Sequence, residues 1–134
     1  EEFRARAAKL SRDPLQQLLI FIGLYEELME GFDEPYPGCL FASYLYEANL
    51  FDDRTMQVID DTYRDWRVTL GGMIDTVAET HAPKLPVDTA DLADMFTGTI
   101  EGAFIMSKTL KEPKLVAAQI GLYRDFIELL FSGD

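Results

Sequence analysis

The chain has 134 residues, 48% hydrophobic and 27% charged, a composition that can build one core and argues against disorder. Its 12 Lys and Arg face 24 Asp and Glu, and the net charge of −12 opposes contact with a phosphate backbone or an anionic membrane. A single cysteine, Cys39, excludes an intrachain disulfide and fits a reducing cytoplasm.

Residues 1–12 carry Phe3, Ala7 and Leu10 at near-helical spacing, with Arg4, Arg6, Lys9 and Arg12 as the one locally basic stretch. They read as the end of a helix begun upstream, and Glu1-Glu2-Phe3 reads as interior sequence, so a fragment of a longer protein is expected. Asp13 can cap the next helix, with Pro14 in its first turn. Leu15, Leu18, Leu19, Ile22, Tyr25, Met29 and Phe32 then mark one face. The apolar run 18–25 is too short to span a bilayer, and residues 1–30 show no signal-peptide pattern.

After a loop at 33–37, Leu40, Phe41, Tyr44, Leu45 and Ala48 predict a short aromatic helix over 38–49. Asp52 or Asp53 can cap a long third helix with Met56, Ile59, Tyr63, Trp66, Leu70, Met73, Ile74 and Val77 in three-four alternation. A turn with two prolines, 81–86, precedes a fourth helix capped by Asp88 and carrying Leu92, Met95, Phe96, Ile100, Ala103, Phe104 and Met106. The last helix is expected from about Pro113 to Phe131. No alternation supports a strand. The pattern is one all-α domain over 1–134, a bundle of about five helices plus an N-terminal stub.

The last helix has two apolar stripes. Val116, Ile120, Tyr123, Ile127 and Leu130 form one; Leu115, Ala118, Leu122, Phe126 and Leu129 form the other. One stripe suffices on the surface of a monomer. Two place the helix either at the centre of its own bundle or in a homodimer whose last two helices make a four-helix bundle. Gly98-x-x-x-Gly102 on the preceding helix, where small residues permit close helix approach, favours the dimer.

Catalytic chemistry has little to stand on. One histidine, His81, sits in a proline-flanked turn, and no Glu-x-x-His pair supplies a metal site. No phosphate-cradling glycine loop or nucleophile elbow is present. No enzyme activity, cofactor or metal is expected. The aromatic and methionine side chains fit either a plain core or the wall of an apolar pocket.

Taken together, Pro37-Gly38-Cys39-Leu40 before the short helix, the Trp66 helix, and Ile100-Glu101-Gly102-Ala103-Phe104 followed by Glu112-Pro113 resemble the C-terminal, ligand-binding and dimerisation domain of tetracycline-repressor (TetR) family regulators. The resemblance implies a cytoplasmic one-component transcriptional regulator that binds a small hydrophobic or aromatic effector. It implies a cavity walled by Tyr25, Phe41, Tyr44, Leu45, Trp66, Leu70, Met73, Met95 and Phe96, with Glu47 and Glu101 as candidate polar anchors. It assigns Ile100, Phe104, Val116, Ile120, Tyr123 and Ile127 to the dimerising helices, and residues 1–12 to the helix joining the two halves. DNA contact would belong to a helix-turn-helix head absent from these residues. The rival readings are a homodimeric interaction module without a small-molecule ligand, and a small helical enzyme or carrier.

Overall fold

A computed structural model describes residues 1–35, 38–39 and 52–133. Five helices occur among them, with no strand: α1 Glu2–Leu10, α2 Pro14–Glu30, α3 Asp53–Thr80, α4 Thr89–Leu110 and α5 Leu115–Phe131. The expected short helix over 38–49 lies almost entirely outside the described residues; Gly38 and Cys39 are in neither helix nor strand.

Helix starts follow the caps. The Asp13 carboxylate accepts from Gln16 N–H at 3.1 Å and opens α2, with Pro14 in its first turn. Asp52 opens α3 through Thr55 N–H at 2.8 Å. Asp88 opens α4 through the N–H groups of Ala90 and Asp91 at 2.8 and 3.1 Å. Helix α5 starts at Leu115, two residues later than the sequence suggests, because Pro113 and Lys114 belong to the turn before it.

That turn is held from both sides. Lys111 ends α4 in the left-handed conformation, φ 58°. The fully buried Ser107 hydroxyl donates to the Glu112 carbonyl at 2.7 Å, and Glu112 N–H returns to the Ser107 carbonyl at 3.0 Å. The Lys114 ammonium donates to the carbonyls of Glu30 and Phe32, placing a cation at the negative end of α2.

Helix α2 is central. It packs most extensively on α5, and also on α1 and α3. Leu15, Leu18, Leu19, Phe21, Ile22, Leu24 and Met29 are all buried, covering more than one side of the helix. Helices α3 and α4 pack together, as do α4 and α5. The α2–α5 crossing is close at Gly121: a Cβ there would stand 2.8 Å from Glu26 Oε1. The space a side chain would fill holds an ion pair instead, with Arg124 Nη1 2.7 Å from Glu26 Oε2. Helix α3 has 28 residues, about 42 Å at 1.5 Å per residue. Only Ile59 is buried in its first half, whereas Leu70, Gly71, Ile74 and Val77 anchor the second.

Candidate functional site

The first stripe of α5 faces inward. Val116, Ile120, Tyr123, Ile127 and Leu130 are buried, Ile120 with 0% exposure, and they join Phe104 and the buried residues of α2 in one core. Ile100 is partly buried against the same core. In the single chain the residues assigned to the dimerising helices are therefore largely buried in their own core. The physical reason is the position of α2, which lies against that side of α5.

The second stripe faces outward. Leu122 and Leu129 are each 63% exposed, Ala118 is exposed, and Leu115 and Phe126 are half-buried. On α4, Met95 is 45% and Met106 51% exposed, and Ile105 and Leu110 are also exposed. Among the described residues a Cβ added at Gly98 or Gly102 would meet nothing within contact distance, so these glycines serve no helix contact among them. Helices α4 and α5 are antiparallel: Tyr123 reaches Leu92 at one end, and Ser107 meets Glu112 at the turn. Their outward stripes make an apolar face of two helices. An exposed apolar surface of this kind marks an interaction site when it is contiguous.

Beneath that face lies a cluster of rings. Tyr25 on α2 meets Phe3 of α1 at 4.7 Å between centroids, Phe21 at 5.3 Å and Phe96 of α4 at 5.8 Å, all edge to face. Phe96 lies 5.1 Å from Tyr123 of α5 at 45°. Edge-to-face pairs align the positive ring edge with the negative ring face. The Tyr123 hydroxyl is buried and donates to the Leu92 carbonyl at 2.7 Å. Burial pushes the phenol pKa values of Tyr25 and Tyr123 up, so both are neutral donors at physiological pH.

The expected cavity residues divide. Tyr25 and Phe96 are in contact. Leu70 is buried on α3, and Met73 is half-buried against the same core. Met73 also lines a cleft of about 220 Å³ with Arg4, Ala8, Pro14, Gln17 and Thr76, between α1, α2 and α3. Trp66 is exposed on the first half of α3, 4.9 Å from the Tyr63 ring. Met95 stands on the outer face with Met106, away from its neighbour Phe96, because successive helical positions are 100° apart. Phe41, Tyr44, Leu45 and Glu47 lie outside the described residues. Burial raises the Glu101 carboxyl pKa, and a hydrogen bond with Cys39 opposes that rise.

Two features were not anticipated from sequence. Glu26 is the ion-pair partner of Arg124, and the sequence signal available for it was Gly121 within the inward-facing part of α5, where a glycine permits close approach. His81 Nε2 lies 3.0 Å from Asp13 Oδ1, tying the end of α3 to the start of α2 and holding the Asp13 carboxyl below its usual pKa. Among the described residues no group of three or more His, Cys, Asp and Glu could hold a metal ion, and no helix is long and apolar enough to cross a membrane.

A family model described as the tetracyclin repressor-like C-terminal domain matches residues 14–120. A solved structure, a TetR-family transcriptional regulator from Agrobacterium tumefaciens, superposes with a TM-score of 0.71 at 20% identity. The match covers 96% of this chain and 65% of that one, and it shows a shared fold. No curated protein matches the chain.

Proposed function

The chain belongs to the tetracyclin repressor-like C-terminal domain family, a family of transcription regulators and not of enzymes, and we propose that it is the effector-binding and self-associating part of such a regulator. The observation that carries the proposal is the outward apolar face of α4 and α5, with Leu122 and Leu129 each 63% exposed and open glycines beside them. A second copy is the occupant this face suits best. Two antiparallel helices meeting their two-fold copies close into a four-helix bundle, and such an interface is self-complementary. Its residues are Met95, Gly98, Gly102, Ile105, Met106, Ala118, Leu122 and Leu129, with Phe126 and Leu115 at the border.

The effector is a small hydrophobic or aromatic molecule held between α2 and α3, with Tyr25 and Trp66 as wall residues. DNA is contacted by a part of the regulator outside these residues, consistent with the chain spanning 65% of the length of the matched structure and carrying a net charge of −12. The regulator works in the cytoplasm.

Sedimentation equilibrium at micromolar concentration tests self-association. The wild-type chain is expected at twice its 15.2 kDa mass and the Leu122→Arg variant at the single-chain mass with an unchanged helical spectrum. A monomeric wild type removes the proposal. Trp66 is the sole tryptophan, so saturable quenching by an aromatic effector, without turnover, tests the cavity. Flat emission across a panel of planar apolar compounds, together with unchanged thermal stability, leaves a self-associating module without an effector.

A further inference from the structure

The ring cluster and the outward face are built on adjacent residues. Phe96 precedes Thr97 and follows Met95; Tyr123 follows Leu122. Met95 and Leu122 stand on the outward face at 45% and 63% exposure, while Phe96 and Tyr123 meet underneath it at 5.1 Å. The distance between α4 and α5 at this end is thus set by two buried rings and by the Tyr123–Leu92 hydrogen bond of 2.7 Å. Tyr25 closes the other side of Phe96 at 5.8 Å, and is itself wedged by Phe21 and Phe3 at 5.3 and 4.7 Å. A closely packed interior transmits such a displacement instead of absorbing it.

We propose that Tyr25 is a positioning residue for self-association: by holding Phe96 against Tyr123 from the α2 side, it sets the spacing of α4 and α5 where two copies meet. The inference rests on the self-association reading above. It links that reading to the cavity, because Tyr25 is also a wall residue. A molecule that presses on Tyr25 changes the association constant, and by reciprocity association changes that molecule's affinity by the same factor. Tyr25 itself lies on α2 and touches no residue of the outward face in the ring contacts described, so its effect on association is indirect.

The test is the dimer dissociation constant of the full chain, measured by sedimentation equilibrium for wild type, Tyr25→Ala, Tyr25→Phe and Leu15→Ala. Leu15 is buried at the opposite end of α2 and serves as a control for general loss of stability. Tyr25→Ala is expected to weaken association about three- to tenfold, the factor that corresponds to the one of its three edge-to-face contacts that reaches α4, with Phe96. Tyr25→Phe keeps the ring and is expected to stay within about twofold of wild type, as is Leu15→Ala. If Tyr25→Ala does not fold, Tyr25→Leu replaces it, filling most of the volume without a ring edge. An unchanged constant in a folded Tyr25→Ala or Tyr25→Leu chain overturns the inference while leaving self-association intact. So does an equal loss in Leu15→Ala, which would make the effect one of stability alone. A monomeric wild type removes both readings together.

Discussion

The two stripes of α5 make opposite predictions for two neighbouring residues. Ile120 has 0% exposure and sits in the core with Val116, Tyr123 and Ile127. Truncating it to alanine removes buried methyl and methylene groups and leaves a cavity, a loss of about 2–5 kcal/mol. Against a total stability of roughly 5–15 kcal/mol this is a large fraction. With a urea slope of about 1.5 kcal/mol per molar, a 3 kcal/mol loss lowers the midpoint by about 2 M. Leu122 is 63% exposed in the single chain, so only about a third of its burial energy is present there. Full burial of leucine contributes about 1.5–3 kcal/mol, which leaves about 0.5–1 kcal/mol to lose in the isolated chain, a shift well under 1 M. The assay is urea denaturation followed by far-UV circular dichroism at two protein concentrations a hundredfold apart. For Ile120→Ala the loss relative to wild type is independent of concentration. For Leu122→Ala it grows with concentration, because the variant forfeits a stabilisation that only the associated form has. Equal, concentration-independent shifts for the two variants would refute the assignment of the stripes.

Tyr123→Phe removes one buried hydrogen bond to the Leu92 carbonyl and keeps the ring, so a loss of about 0.5–1.5 kcal/mol is expected by thermal or urea unfolding; no loss would mean that the bond is replaced without cost. Lys111→Gly relieves a side chain from the left-handed region at φ 58° and is expected to raise Tm by about 2–5 °C, with a fall counting against the cap geometry. Glu101 has a carboxyl pKa raised by burial, so the fold favours its protonated form. Its contribution to stability is highest below the ordinary carboxylate pKa and declines as pH rises through the raised value. Glu101→Gln is expected to be more stable than wild type near neutral pH and to lose that part of the pH dependence. A variant less stable at neutral pH, with the wild-type profile retained, would contradict it.

Most of the fold was legible because local signals agreed with one another. Asp13-Pro14, Asp52 and Asp88 each cap a helix where the sequence places a start, and the three-four spacing of Ile59, Leu70, Ile74 and Val77 names the side of α3 that is buried. The same spacing could not say which stripe of α5 faces inward, since both are apolar. That choice depends on where α2 lies, a long-range fact carried by the Gly121–Glu26 approach and the Lys114 contact with the end of α2. Met95 and Phe96 meet the same limit: adjacent apolar residues carry no mark in sequence of which one borders the core, and it is Phe96 that is buried. The ring contacts of Tyr25 with Phe3 and Phe96 join residues far apart in sequence, and periodicity does not report such pairs.

Self-association through α4 and α5 is tested most directly by hydroxyl-radical footprinting of the methionines at two protein concentrations. Met95 and Met106 are 45% and 51% exposed in the single chain, whereas Met29 is buried and Met73 is half-buried away from the outward face. At high concentration, where two copies meet, oxidation of Met95 and Met106 is expected to fall by several-fold relative to dilute protein, while Met29 and Met73 keep their rates. Equal oxidation of Met95 and Met106 at both concentrations, in protein shown by sedimentation to change its mass across that range, would place the interface elsewhere and contradict the account.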